Sequence, residues 1–452
     1  MAELPRSVTA ASTAGTGARL RSGSAAPDDR PSAAPSASAF GSGPATVFSG
    51  GGTGGHLYPA LALADALHDI RPDVRAVFVG AERGIEARVL PARRLEHLLV
   101  PVEGFRRGMH LANLTVLRSL ARALAAVGGL FHRIRPSLVV VTGGYAGGPA
   151  GLVAGLMGIR LVLQEQNSVP GLTTRVLSLW AREVHLAFPE AAARLPRLAR
   201  PRARISGNPV RPPHPVSREE AAKVFHLDAS KPVVLVVGGS QGARAVNEAV
   251  LDGVRRILGG KGSRPGGLQL LWVTGPDHLT SIREALEEAA VASMPGSGRV
   301  IPSWIRLHGY LEAMPMALAL ADLAVSRAGA MATSEFLARG IPSLLIPFPF
   351  AAADHQARNA QALAEAGAAE HLPESELDTE DLWARIRRLL EDREALVSMA
   401  EAARQRGRPD AAREIARSLA AHLPPAREGA GEGHGSGVTV GEASPRRVRG
   451  GP

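Results

Sequence analysis

The sequence predicts an α/β protein of two Rossmann-like domains whose parallel sheets face a common cleft. Three observations carry this expectation. A chain of 452 residues is longer than one ordinary hydrophobic core organises. Its residues are 45% apolar but only 4% aromatic, a balance that suits sheets covered by helices rich in small and aliphatic side chains. Short apolar runs also alternate with helical stretches in two successive rounds, the pattern of parallel strands joined by right-handed crossovers.

Taken in order, residues 1–45 are rich in Ala, Ser, Pro and Gly and read as a disordered tail. They contain no apolar run of the secretory kind, and Glu3, Asp28 and Asp29 argue against an organellar transit peptide. The first domain, 46–208, offers strands at 46–50, 74–80, 95–102, 137–144, 159–166 and 182–188, with helices after most of them. The stretch "GNPVRPPHPVS" follows, where Pro209, Pro212, Pro213 and Pro215 forbid a regular element and mark a hinge. The second domain, 209–423, offers strands at 232–239, 268–275, 321–329 and 341–348. A last helix, 410–423, has an apolar face that could pack on either domain, and 424–452 reads as a second disordered tail.

Composition excludes several functions. The chain has no cysteine, hence no disulfide, thiolate metal site or cysteine nucleophile. The longest apolar stretch, "GLVAGLMGIRLVL", is interrupted by Arg160 and falls short of the roughly 18 to 20 residues of a spanning helix. Charge is unevenly placed: residues 46–208 hold 20 Arg, no Lys and 10 acidic residues, so that this domain alone nets +10, as much as the whole chain. A basic domain points to nucleic acid, an anionic membrane surface or a phosphorylated substrate. Nucleic acid is disfavoured, because no familiar binding module appears and few aromatics are available for stacking.

Three glycine-rich turns end predicted strands: "SGGGTGGHLYP" at 49–59, "TGGYAGGPAG" at 142–151 and "VGGSQGARAVN" at 237–247. At that edge of a doubly wound sheet, bare backbone amides and helix N-termini suit phosphate oxygens, and glycine permits close approach. One such turn could be a plain connection, but three split between two domains point to a diphosphate donor and an acceptor meeting in a cleft. None reads as a nucleoside triphosphatase loop, and the first lacks the clean dinucleotide fingerprint of a nicotinamide enzyme.

Seven stretches, "GGTGGHLYPALALA", "GGYAGGPAG", "QEQNSVPGLTTR", "GNPVRP", "GGSQGAR", "SRAGAMATSEFLARGIPSLLIPFPFAAADHQARNA" and "EAGAA", resemble in this order the motifs of the MurG family. Its members transfer N-acetylglucosamine in peptidoglycan synthesis, and the likeness covers about residues 46–423. The resemblance implies the two-domain GT-B architecture, no metal or other cofactor, and work at the cytoplasmic face of the bacterial membrane. It implies UDP-N-acetylglucosamine and an undecaprenyl-diphosphate-linked muramyl pentapeptide as substrates, an anionic membrane surface, and other cell-wall synthesis or division proteins within reach as partners.

The resemblance also implies site residues. Glu335 would accept hydrogen bonds from the ribose hydroxyls, as a carboxylate can from a vicinal diol. Ala330, Met331, Ala332, Thr333 and Ser334 would offer backbone contacts to uridine and phosphate. Ser240 would touch the diphosphate, Leu311 would meet the uracil through its backbone, and Asn167, Arg211 and Gln356 would contact the donor. Thr53, Gly54 and Gly55 would approach the diphosphates, with Gly143, Gly144 and Tyr145 on the acceptor diphosphate. The reaction needs a base of near-neutral pKa for the muramyl hydroxyl; His56 is the first candidate and Glu165 the second. Family members often carry His where Gln164 stands, so that position is not a base here. Rival readings are another GT-B enzyme, such as a glycolipid synthase or a UDP-N-acetylglucosamine 2-epimerase, and a non-catalytic nucleotide-sugar binder.

A membrane-facing helix is expected after Phe105, with Leu114, Leu117, Leu120 and Leu124 at helical spacing and Arg118, Arg122, Arg133 and Arg135 nearby. The competing reading of that stripe is packing on its own sheet.

Overall fold

The structure, a computed structural model, describes residues 43–102, 112–213, 215–239, 242–293, 300–351 and 354–426. Seven parallel strands form the first sheet: β1 (Ala45–Ser49), β2 (Arg75–Ala81), β3 (His97–Val100), β4 (Leu138–Val141), β5 (Arg160–Glu165), β6 (Glu183–Leu186) and β7 (Ala203–Ile205). Their order is β3-β2-β1-β4-β5-β6-β7. Six form the second: β8 (Val233–Val237), β9 (Gln269–Val273), β10 (Ile305–His308), β11 (Leu323–Ser326), β12 (Ser343–Leu345) and β13 (Glu370–His371), ordered β10-β9-β8-β11-β12-β13 and again parallel. Both sheets reverse their winding beside their first strand, between β1 and β4 and between β8 and β11, where a doubly wound sheet opens a crevice for ligand.

The central strands read as unbroken apolar runs because helices cover both faces of each sheet. Leu138–Val141 and Val233–Val237 are buried along their whole length. Three strands escaped the sequence reading, β7, β10 and β13, and each lies at a sheet edge. An edge strand has one hydrogen-bonded neighbour and needs little apolar surface, so "ARI", "IRLH" and "EH" carry no strong signal.

The last helix, Ala411–Ala421, crosses back to the first domain. Its Ile415, Ala416 and Leu419 share one core with Phe48, Leu57 and Leu61, packed on the helix Gly54–Ile70. Polar contacts fix its far side, where the Ser418 hydroxyl donates to Glu183 and His422 Nε2 lies 3.4 Å from the same carboxylate.

Candidate active site

Two glycine turns interlock at the C-terminal ends of β1 and β4. Gly52, Gly143 and Gly144 have φ of +88°, +91° and +71°, a region that favours glycine. Space demands it as well: a Cβ on Gly144 would overlap the Gly51 carbonyl, and one on Gly52 would overlap the Tyr145 ring. Between these turns sits His56, in the first turn of the helix that Thr53 begins. Thr53 Oγ1 lies 3.0 Å from His56 Nδ1 instead of capping the helix. From below, the Thr142 hydroxyl donates to the His56 carbonyl at 2.7 Å. The imidazole edge stands over Gly143, so close that a Cβ there would come within 3.0 Å of Cδ2. Burial lowers the His56 pKa below its ordinary value; Glu165 opposes the shift and His355 adds to it. The ring is therefore neutral at neutral pH. Thr53, Gly143 and Gly144 thus lie against one imidazole, Gly54 and Gly55 join Thr53 to it along the chain, and Tyr145 packs on Gly52 beside them.

Glu165 ends β5 and is buried. Its Oε1 accepts from the backbone and side-chain amides of Asn167 at 3.1 and 3.2 Å, and its Oε2 from Gly171 N at 3.1 Å. Both oxygens are occupied in shaping the loop that follows the strand. Gln164 is buried and donates to Asn208 Oδ1 at 2.9 Å, an interior role consistent with its exclusion as a base.

Across from these turns, the helix Ala330–Arg339 begins after Gly329. Its first-turn amides at Ala330, Met331 and Ala332 form an anion-friendly terminus. The Thr333 hydroxyl is spent within the helix, 3.1 Å from both the Gly329 and Ala330 carbonyls. Ser334 Oγ accepts from Asn208 at 2.8 Å. Glu335 has its pKa raised to about 7, chiefly by burial, with Arg339 and Arg211 pulling the other way. Arg211 is exposed, and its charge also bears on Asp65 of the first domain, whose pKa burial raises against Arg93 and Arg211. Gln356 Oε1 accepts from Phe348 N at 3.0 Å, while the Leu311 side chain is buried in the second domain's core, which leaves its backbone for any ligand. Ser240 lies outside the described residues.

Two residues that the sequence reading left unassigned join the halves. Asn208 Nδ2 reaches the carbonyls of Gln166 and Ala330, each at 3.2 Å, as well as Ser334. Asn359 Oδ1 accepts from Ser168 N and Oγ at 2.9 and 3.0 Å, and its Nδ2 donates to Asn167 Oδ1 at 3.2 Å. Both stand in stretches quoted above, "GNPVRP" and "HQARNA", but an asparagine whose partners in the other half lie more than a hundred residues away leaves no local pattern.

Comparison with known proteins agrees with this geometry. Residues 46–186 match the glycosyltransferase family 28 N-terminal domain, and residues 233–415 match the family's C-terminal domain. A UDP-N-acetylglucosamine–N-acetylmuramyl-(pentapeptide) pyrophosphoryl-undecaprenol N-acetylglucosamine transferase of Moorella thermoacetica is 40% identical over 371 residues, 82% of this chain and 96% of that one. The protein of the same name from Chlorobaculum tepidum is 39% identical over 379 residues, 83% of this chain and 98% of its own. Among solved structures, Acinetobacter baumannii MurG superposes with a TM-score of 0.64 at 25% identity, covering 84% of this chain and 99% of that one. The chain belongs to glycosyltransferase family 28 and, within it, to the MurG family.

Proposed function

We propose that the protein moves N-acetylglucosamine from UDP-N-acetylglucosamine to the muramyl 4-hydroxyl of undecaprenyl-diphospho-N-acetylmuramyl-pentapeptide, with inversion at the anomeric carbon and release of UDP. The observation that carries this reading is the neutral His56 held between two interlocked glycine turns, with Asn208 tying the first domain's Gln166 to the first turn of the helix Ala330–Arg339. In the step itself, the muramyl oxygen forms a bond to the anomeric carbon, the bond from that carbon to the UDP oxygen breaks, and the hydroxyl proton passes to a base. His56 is that base. Its Nε2 can accept only if Nδ1 carries the hydrogen, and Thr53 Oγ1 stands ready to accept that hydrogen. Glu165, with both oxygens engaged, holds the Asn167–Gly171 loop and favours the imidazolium that forms. Helix amides at Ala330 to Ala332 receive the charge of the departing diphosphate, and Glu335 holds the ribose.

The acceptor is a lipid, so the basic domain meets the membrane from the cytoplasmic side as a peripheral protein. Among the described residues no helix is long and apolar enough to cross a bilayer. The helix Ala112–Ile134 turns Ala123, Val127, Leu130 and Phe131 to its sheet, Leu124 packs there too, and Val116 is buried as well. The Leu114 side chain and Phe105 lie outside the described residues. Leu117, Arg118 and Arg122 remain exposed on that helix. A second exposed face, Leu172, Val176, Leu179 and Trp180 with Arg175 and Arg182, repeats at helical spacing and has the chemistry of an anionic interface. Replacing Arg175 and Arg182 by Glu should weaken sedimentation with vesicles containing anionic lipid; unchanged binding would remove this face from the reading.

The deciding assay incubates the protein with radiolabelled UDP-N-acetylglucosamine and a short-chain muramyl-pentapeptide diphosphate lipid in the presence of EDTA. Lipid-dependent transfer with stoichiometric UDP release is expected, and His56→Ala should lower kcat by about a hundredfold or more, the scale of a lost general base. UDP binding without transfer would move the function to another acceptor or to a non-catalytic role.

A further inference from the structure

A carboxyl group that the reaction does not use lies directly beneath the first glycine turn. Glu86 is the first residue of the helix Glu86–Ala92, after β2, and its side chain is fully buried. One oxygen, Oε1, accepts a hydrogen bond from the backbone N–H of Gly52, inside the turn that leads to Thr53 and His56. The other, Oε2, is buried with no hydrogen-bond partner among the described residues. Room for the carboxyl is made by glycines: a Cβ on Gly51 or on Gly84 would overlap it, and Gly80 lies against its stem. Three glycines from two stretches of chain, the turn after β1 and residues 80–84, thus leave the room that admits this side chain.

We propose that Glu86 is a positioning residue for the transfer reaction, a latch that sets the Gly52–His56 turn through the reach and acceptor oxygen of its side chain and not through its charge. The argument is one of chemistry. Gly51, Gly52, Gly80 and Gly84 pack against the carboxyl, and none of them brings a charge to it. Its charged neighbours along the chain, Glu82, Arg83 and Arg88, are exposed, and the titratable Tyr145 and His56 pack on Gly52 and Gly144. An ionised carboxylate would thus leave Oε2 with buried charge and no donor, and would place a negative group under a turn that has to admit a diphosphate. Burial correspondingly raises the pKa of this group, against hydrogen bonds from its own backbone and from Gly52. With Gly52 N–H held from below, the next backbone amides and the Thr53–His56 pair are aimed into the cleft.

The inference rests on the transferase reading, and three variants assayed beside the wild type separate the two. Glu86→Gln keeps the length and the acceptor oxygen without a charge; its kcat should stay within about threefold of wild type. Glu86→Asp keeps the acid but is one methylene too short to reach Gly52, and Glu86→Ala has no acceptor. Both should lose kcat by about tenfold or more, since small displacements of catalytic groups are costly. Their KM for UDP-N-acetylglucosamine should change by less than kcat does, because the ribose and uracil contacts proposed for the donor lie in the second domain, outside the turn that Glu86 holds. The wild-type protein failing to transfer at all would refute the transferase reading itself. With the wild type active, Glu86→Gln as impaired as Glu86→Asp would overturn the latch, as would full activity in Glu86→Asp and Glu86→Ala. Should Glu86→Ala melt below the assay temperature, the Gln and Asp pair decides alone.

Discussion

At the scale of single residues, the site depends on burial setting charge states that its ligands then change. Glu335 illustrates this, since its pKa of about 7 stands well above that of an ordinary carboxyl. As a carboxylate it can accept two hydrogen bonds from a ribose diol, while as an acid it gives up part of that capacity. With Glu335 on the ribose as proposed, bound UDP should favour the ionised form and draw a proton off the free protein. The sign follows directly: UDP affinity should rise as pH increases through about 7, and titration calorimetry in buffers of different ionisation heat should show proton release on binding. Glu335→Gln should abolish the release and weaken UDP by about 1.5 to 3 kcal/mol, the range for hydrogen bonds to charged groups. An affinity independent of pH from 6 to 8 would take Glu335 off the ribose. His56 moves in the opposite sense, because burial keeps its ring neutral and so prepared to take a proton.

At the scale of elements, the glycine turns are the feature that the sequence exposes most clearly, and their geometry tells which glycines are required. Gly144 combines φ of +71° with a position where a Cβ would overlap the Gly51 carbonyl, whereas Gly148, in the first turn of the following helix, has open space where a Cβ would stand. Gly144→Ala should part the two turns and lower kcat by about tenfold or more while UDP binding persists. Gly148→Ala should keep full activity and, at an unstrained helical position, gain up to about 1 kcal/mol in a thermal melt. Equal effects of the two would mean that the turns do not need their close approach. The same contrast explains how much could be read from sequence. The apolar runs of β1, β4, β8 and β11 and the turns after β1 and β4 carry local patterns, so strand alternation and the region of the cleft were legible. Asn208, Asn359 and Glu86 act on distant chain segments through side-chain hydrogen bonds, and such pairings appear only once the fold has brought the segments together.

At the scale of the whole molecule, the same distinction applies to the last helix, whose apolar face gave no hint of which domain it covers. The answer lies in a polar cluster around Glu183 on β6. Its carboxylate accepts from Ser418, lies 3.1 Å from His185 Nε2 and 2.9 Å from Arg204, and has His422 beside it, while His185 Nδ1 is 2.7 Å from Ser206 Oγ. Burial would raise the Glu183 pKa, but the Ser418 hydroxyl, His185, Arg204 and His422 more than offset it, so the net shift is downward. Burial also drives the His185 pKa down to about 4 despite its carboxylate neighbour. Both shifts carry the same sign for folding, because the unfolded chain takes up protons that the folded one refuses. The contribution of His185 is whole above its ordinary pKa of about 6.5 and is lost as pH falls toward 4, and that of Glu183 is lost as pH falls below the ordinary carboxylate range. Removing the anion tests the clasp at fixed pH. Glu183→Gln should cost about 1 to 3 kcal/mol at pH 7, the penalty for leaving buried partners unmatched, and should speed amide exchange in residues 411–421 ahead of the second domain. As pH is lowered below the ordinary carboxylate range, through the depressed Glu183 pKa, wild type and variant should converge in melting temperature, since acid then does to Glu183 what the substitution has already done. No gap in melting temperature at pH 7, with exchange unchanged in the last helix, would show that apolar packing on the helix Gly54–Ile70 holds the crossover alone, and a gap that persists below the ordinary carboxylate range would show that the Glu183 charge is not its source.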